Sequence, residues 1–292
     1  MLTIDAQVHV YERNHAGRPW LNETDGPPEV TGEDMITAMD AVGVDGALLV
    51  SQNSRYGFDA SYAIAVHQAH PERFALIKPV DPSDPAVSEI ISDWASTNGT
   101  VGIRLLLMGN VSADPTDVGI NRVLTAAAKH SLPVNVMCWD RLDQIAALAA
   151  RNPNTVLLID HLGLRQPYRP ATPIKPFSDL VRQLSLAVHD NVFIKVSGVG
   201  TMSCKPFPFD DLWGPLDRIF EAFGMDRCMW GSDWTRVTAF LTYRQAADLF
   251  RKSGRLSDGD RKMLLGVTLH NIYNWLPYGK KVERLQLPER TL

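Results

Sequence analysis

The first ten residues place three polar side chains at alternate positions of an otherwise apolar segment. Asp5, Gln7 and His9 are separated by Ala6 and Val8. Alternate side chains of a β-strand project to the same face, so these three polar groups are predicted to share one face. A carboxylate, an amide and an imidazole in one row could transfer protons, bind a metal ion or hydrogen bond to a substrate.

Further polar residues stand late in other apolar segments. They are Lys78, Arg104, Asn135, Trp139, His161, Lys195, Ser197 and Asp233. Burying a charged group costs several kcal/mol unless the group is paired, so each of these residues needs a reason to be there. Their repeated placement near the same end of successive segments predicts a common site.

The residue types indicate what this site could do. Asp233 lies between two tryptophans in MWGSDWT, where apolar surroundings would raise the pKa of its carboxyl and suit a general base or a metal ligand. The structural alternative for Asp233 is a helix cap. Arg104 could hold an anionic group in a bidentate pair, or form a buried ion pair. His9 and His161 could each serve catalysis or structure, and Lys195 could be a substrate anchor, a proton donor or part of an ion pair.

Two other carboxylates are open to structural interpretations. Asp5 comes early in its segment, where a hydrogen-bonding role and a catalytic role are both open. Asp160 precedes His161 and by alternation points to the opposite face, which predicts a structural partner for a helix.

The elements that must position these residues alternate between two patterns. Apolar runs typical of buried parallel strands occur at 2–10, 46–52, 73–80, 100–107, 132–139, 154–162, 191–198 and 228–235. Segments with helical spacing lie between them, and Thr31 with Asp34 resembles a capping box at the start of the first. This alternation predicts a slightly distorted (β/α)8 TIM barrel, with one domain over 1–292, a polar surface tail at 276–292 and the site at the carboxyl ends of the strands.

Composition excludes several classes of function. The chain has 292 residues, of which 45% are hydrophobic and 21% charged, and its net charge is -4. No basic block suggests nucleic acid, and no lipidation signal, leader pattern or long apolar run suggests a membrane. Three widely spaced cysteines match no disulfide framework. The expectation is a cytoplasmic enzyme with a small-molecule substrate, and a homo-oligomer is compatible with it.

Several motifs together resemble a known family. IDAQVHV is similar to the IDxHxH opening of the amidohydrolase superfamily, and VLLIDHLG, FIKVSG and MWGSDWT resemble late-strand motifs of its amidohydrolase 2 branch. VGIRLLL, RPW and HNIYNWLP add to the resemblance, which covers essentially the whole chain. Within that branch the chain resembles lactonases such as 2-pyrone-4,6-dicarboxylate lactonase, fuconolactonase, rhamnonolactonase and sulfomuconolactone hydrolase.

The resemblance implies roles for the site residues. His9, His161 and Asp233 would bind a metal or surround the reacting carbonyl, with Asp233 as the base that activates water. Arg104 would hold a carboxylate or hydroxyl of the substrate. Gln7 stands where the superfamily has its first histidine, and an amide oxygen is a weak zinc ligand. We therefore predict hydrolysis without a cofactor, with the Gln7 NH2 group helping to stabilise the oxyanion; the alternative is Zn²⁺ or another divalent ion on the two histidines and Asp233.

Position alone predicts further substrate-binding residues around this centre. They are Trp139, Tyr56, Arg55, Trp20 and His15. The predicted substrate is a small acidic or sugar-acid lactone, which Lys195 or Arg236 would help Arg104 to orient. Three other functions stay open at this point: a metal-dependent decarboxylase or hydratase, an aldolase that forms a Schiff base on Lys195, and a non-catalytic binder.

Overall fold

Eight parallel strands follow one another around a nearly closed barrel in the described part of the chain, in the order of the sequence. The computed structural model describes residues 1–24, 26–109, 111–164, 177–277 and 279–280. The strands are β1 Ile4–Val8, β2 Gly46–Val50, β3 Phe74–Pro79, β4 Thr100–Leu106, β5 Val134–Met137, β6 Leu157–Ile159, β7 Val192–Ser197 and β8 Cys228–Gly231. Each lies within a predicted apolar run, and the predicted (β/α)8 barrel is confirmed.

Helices follow the strands and cover the outside of the barrel. They are α1 Gly32–Val42, α2 Asn53–Tyr56, α3 Ser61–Ala69, α4 Val87–Ala95, α5 Val118–Lys129, α6 Leu142–Arg151, α7 Leu180–Ser185, α8 Trp213–Phe223, α9 Tyr243–Arg251, α10 Asp258–Lys262 and α11 Thr268–Tyr273. A π-helical turn, Met263–Val267, joins α10 to α11. The predicted capping box is confirmed: Thr31 accepts from the backbone of Asp34, whose side chain accepts in return from the Thr31 backbone.

The barrel closes where β1 meets the segment that follows β8. The backbone N–H of Asp233 donates to the carbonyl oxygen of Gln7 at 2.9 Å, and Val8 forms a parallel bridge with Trp234. This closure brings Gln7 and His9 directly beside Asp233.

An irregularity in β1 separates Asp5 from the rest of the polar row. The register with β2 shifts between Asp5 and Val8. Asp5 accepts from the backbone N–H of Ser232 at 2.8 Å and from the Tyr243 hydroxyl of α9 at 2.9 Å, so it faces the helix layer. The prediction that Asp5 shares one face with Gln7 and His9 is wrong, because the bulge breaks the two-residue alternation.

The other end of the barrel is closed by α11. The Tyr273 hydroxyl donates to Asn135 Oδ1 at 2.7 Å, and the Asn135 NH2 donates to the Ile103 carbonyl at 3.0 Å, so this predicted strand-end candidate is satisfied away from the mouth. Of the predicted tail 276–292, Leu276 packs against the inner barrel core, whereas Tyr278 and 281–292 lie outside the described residues. Among the helices of the described ranges, none is both long and apolar enough to cross a membrane.

Candidate active site

Asp233 lies in the turn directly after β8, fully buried. Its backbone is left-handed, with φ +54°, a conformation that a non-glycine residue adopts where surrounding structure enforces it. Its Oδ1 is 3.5 Å from His9 Nε2 and its Oδ2 is 3.9 Å from His161 Nδ1. Neither carboxylate oxygen has a hydrogen-bond partner among the described residues. A buried carboxylate with open lone pairs between two imidazoles is the centre of the site.

The neighbours of Asp233 keep its carboxyl ionised. Burial alone would raise its pKa, but the imidazoles of His161 and His9 and the Arg104 guanidinium lower the pKa below its ordinary value. The prediction that the flanking tryptophans raise the pKa of Asp233 is therefore wrong. The charged and polar groups that face the carboxylate outweigh its apolar surroundings.

Close packing around β8 depends on a glycine. A Cβ placed on Gly231 would lie 3.0 Å from the Cβ atoms of both Gln7 and Ser197. A side chain at this position would be in tight contact with both neighbouring strands, which would have to shift to accommodate it. The glycine of GSDW thus lets the three strands converge beneath Asp233.

The ring of His9 is oriented by a backbone carbonyl. His9 Nδ1 is 2.7 Å from the carbonyl oxygen of Val50 at the end of β2, and a carbonyl can only accept, so Nδ1 carries a hydrogen. In neutral His9 the Nε2 lone pair then faces Asp233. Two acceptors at 3.5 Å need a proton, a water molecule or a cation between them.

His161 is placed by an unusual turn. His161, Leu162 and Gly163 have φ values of +53°, +62° and +66° in succession, so the chain reverses sharply after β6. The Gln183 amide of α7 donates to the Leu162 carbonyl and supports this turn. A Cβ on Gly163 would come within 2.6 Å of a Leu142 methyl, so the glycine serves both the conformation and the packing.

The imidazole of His161 is also held by β7. Ser197 Oγ accepts from the His161 backbone N–H at 3.1 Å and lies 2.9 Å from His161 Nδ1. Burial lowers the pKa of His161, which favours the neutral ring. When the Ser197 hydroxyl donates to Nδ1, the ring hydrogen stands on Nε2 and can be donated to a bound molecule.

Asp160 organises the charges beside these histidines. Its Oδ2 accepts from Arg104 Nε at 2.8 Å, and its Oδ1 lies 3.4 Å from Lys195 Nζ. Burial would raise the pKa of Asp160, but the two cations bring it well below the ordinary value. The predicted contact of Asp160 with a helix is wrong: the strand ends at Ile159, so alternation no longer applies, and Asp160 pairs with β4 and β7 inside the barrel.

Lys195 lies beneath the cavity rather than on its wall. Its Nζ donates to Gln7 Oε1 at 3.0 Å and to the Ala6 carbonyl at 2.9 Å, and the side chain is fully buried. Burial lowers the pKa of Lys195 to about 8, while Asp160 acts to raise it. Lys195 is not among the residues that line the cavity, and its substrate contact and its Schiff base stay predictions.

Gln7 is oriented by that lysine. Lysine has only donors, so the Gln7 amide oxygen must face Nζ, and the Gln7 NH2 group is left buried without a partner among the described residues. Gln7 is not among the residues that line the cavity; it occupies the layer below His9.

A cavity of about 360 Å³ opens over the cluster. Its lining residues are His9, Gln52, Asn53, Ser54, Arg104, Leu106, Met108, Met137, Trp139, His161, Asp233 and Arg236. It therefore brings together six predicted residues, namely the two histidines, the aspartate, Arg104, Trp139 and Arg236. Gln52 to Ser54 and the apolar residues of the β4 and β5 ends are additions. Gln52 ends the apolar run GALLVSQ, so the strand-end rule applied to β2 would have found it.

The four remaining predicted contacts form a separate cluster under the β1 loop. The Arg55 guanidinium lies between the rings of Tyr11, at 3.7 Å, and Trp20, at 3.6 Å, and it is almost fully buried. Tyr56 hydrogen bonds through its hydroxyl to the Glu12 backbone, and His15 binds the Glu12 carboxylate on the surface. None of Arg55, Tyr56, Trp20 and His15 lines the described cavity, and Arg55 is held instead between the two rings.

The donor set does not fit a metal centre held by the protein alone. His9 Nε2 and the Asp233 carboxylate are suitable ligands, but Gln7 Oε1 is engaged by Lys195 and His161 Nδ1 faces Ser197. Within the described ranges, no group of three His, Cys, Asp or Glu residues has an arrangement that could hold a metal ion.

The protein has the architecture of a barrel enzyme. Two histidines, an aspartate and an arginine surround one cavity at the carboxyl ends of the strands of a (β/α)8 barrel. The chain belongs to the amidohydrolase family, whose profile matches residues 4–268.

Similar proteins cover most of the chain. L-fucono-1,5-lactonase of Burkholderia multivorans is 25% identical over 288 residues, which are 93% of this chain and 96% of that protein. 4-Sulfomuconolactone hydrolase of Rhizobium radiobacter is 26% identical over 225 residues, 76% of this chain and 72% of that protein. A crystal structure of an amidohydrolase from Burkholderia multivorans with bound zinc has a TM-score of 0.79 and 23% identity, covering 94% of this chain and 99% of that one.

Proposed function

We propose that the protein is a lactonase, which opens the ring of a small lactone by attack of water on the carbonyl carbon. The observation that carries this proposal is the Asp233 carboxylate, buried with both oxygens open at the floor of the cavity and flanked by two imidazoles. Membership of the amidohydrolase family and the likeness to two lactone hydrolases support it.

Asp233 acts as the general base. A water molecule bound by its open oxygens gives a proton to the carboxylate as the water oxygen attacks the carbonyl. The proton then passes to the ring oxygen when the carbon–oxygen bond breaks, and the product is a hydroxy acid. The lowered pKa of Asp233 makes it a weak base, but a lactone is an activated ester and needs less assistance than an amide.

The developing oxyanion is stabilised by donors around Asp233. His161 supplies Nε2–H in the tautomer that Ser197 favours, and His9 supplies Nε2–H when its ring is protonated. The Gln7 NH2 group, turned away from Lys195, is a third donor below them. Arg104 keeps its guanidinium on the cavity wall while its Nε is fixed by Asp160, and it orients a substrate oxygen beside Trp139.

We further propose that the reaction needs no metal ion. Bound zinc in a structural relative shows that a divalent ion is possible in this fold. In this chain the Lys195 ammonium occupies the Gln7 oxygen, which disfavours a cation at the same place.

A lactone panel tests the proposed activity. The purified protein is assayed by pH-stat with L-fucono-1,5-lactone, 4-sulfomuconolactone and unsubstituted δ-valerolactone, against the spontaneous rate of each. We expect turnover of at least one lactone at a kcat/KM on the order of 10⁴ M⁻¹s⁻¹ or higher. No enzymatic rate above background with any lactone would refute the proposed function.

A further inference from the structure

Gln52 presents an unused amide to the cavity. It follows β2 by two residues, is 3% exposed and lines the wall beside His9. Its Oε1 is buried and has no hydrogen-bond partner among the described residues. A buried acceptor without a partner is unfavourable, and a ligand that donates to it removes that penalty on binding.

The chemistry of an amide limits what it can recognise. It offers an acceptor and a donor side by side without charge, which is the complement of a hydroxyl group, itself both donor and acceptor. A carboxylate or sulfonate cannot satisfy Gln52 Oε1, because it has only acceptors. The neighbouring lining residues Asn53 and Ser54 are also uncharged and polar, so this wall has the character of a hydroxyl-binding surface.

The wall is held rigidly from behind. Arg55 follows it in α2 and is clamped between Tyr11 and Trp20, where its Nε donates to Thr24 Oγ1 at 2.9 Å. The Leu21 N–H donates to the Arg55 carbonyl at 2.7 Å. These contacts fix the chain before a ligand arrives, which reduces the entropy lost on binding.

We propose that Gln52 is a specificity-determining residue of the site, which binds a ring hydroxyl of a polyhydroxy lactone. This inference rests on the proposed lactonase function. The acceptor without a partner and the uncharged polar neighbours Asn53 and Ser54 support it.

Gln52→Met tests the assignment, because methionine keeps the length of the side chain and removes its hydrogen bonds. We expect kcat/KM for L-fucono-1,5-lactone to fall about 10- to 100-fold. The value for δ-valerolactone, which has the same ring size and no hydroxyl, should change less than about 3-fold. An equal loss with both lactones would show a structural role, and either that result or no loss with either lactone would overturn the proposal.

A binding measurement separates this inference from the proposed function. L-fucose carries the ring hydroxyls without a lactone carbonyl, so its binding by calorimetry requires no turnover. We expect the wild type to bind L-fucose and Gln52→Met to bind it at least about 10-fold more weakly. If no lactone is turned over but Gln52→Met still binds L-fucose more weakly than the wild type, only the proposed lactonase function is refuted. If the wild type does not bind L-fucose, the proposed role of Gln52 is refuted.

Discussion

Replacing Asp233 with asparagine is expected to lower kcat/KM for the preferred lactone by about 10²–10⁴-fold. Asparagine is nearly isosteric and keeps the backbone N–H bond to Gln7, but its amide cannot take a proton from water. The loss should appear in kcat rather than KM, because the base acts in the transition state.

A matched control separates lost chemistry from lost structure. Asp217→Asn removes a half-exposed carboxylate of α8 that forms a long ion pair, 3.5 Å, with Arg255. This variant should leave kcat/KM unchanged. The unfolding midpoint of each variant is measured in urea alongside the kinetics. If Asp233→Asn keeps activity within about 3-fold of the wild type, another group is the base.

The second large effect is expected on stability. Asp160→Asn should reduce the free energy of unfolding by about 3–5 kcal/mol, since it leaves the buried cations Arg104 and Lys195 without their shared carboxylate. Urea denaturation at constant pH measures the change. The exposed-pair variant Asp217→Asn should cost less than about 1 kcal/mol in the same assay.

A double variant tests whether Asp160 acts through its cations. In Asp160→Asn/Lys195→Met one of the stranded charges is also removed, so the total loss should be smaller than the sum of the single losses by about 0.5–3 kcal/mol. Strict additivity would mean that Asp160 and Lys195 are energetically independent, against the 3.4 Å contact between them.

The barrel could be predicted because the pattern of apolar residues along the chain depends on which faces of each element are buried. Parallel strands covered on both faces are continuously apolar, and such runs marked all eight strands to within a few residues. The rule that function lies at the carboxyl ends of barrel strands then selected His161 and Asp233, which the structure brings together with His9.

Other features depend on distances that a linear pattern does not contain. The bulge in β1 turns Asp5 toward Tyr243, although strict alternation predicts the opposite face. Arg55 was expected near the substrate because loops after strands form the mouth, but stacking between two rings draws it into the loop core. In both cases tertiary contacts override the local pattern.

Hydrogen bonds between side chains of different strands could not be predicted from the sequence either. Lys195 is nearly two hundred residues from Gln7 in the chain, and only the closed barrel makes its Nζ a hydrogen-bond donor to the Gln7 amide. The sequence could show that a glutamine replaces an expected histidine, but not that a lysine engages its oxygen.

Hydrolysis at the His9–Asp233–His161 cluster without a metal ion is the central claim, and kcat/KM of metal-depleted protein tests it most directly. The protein is dialysed against a strong chelator, its residual zinc and other divalent ions are quantified by mass spectrometry, and the preferred lactone is assayed before and after Zn²⁺ is added. Unchanged kcat/KM with far less than one ion per chain is the expected result. Loss of activity on depletion, with recovery on adding Zn²⁺, would contradict the claim.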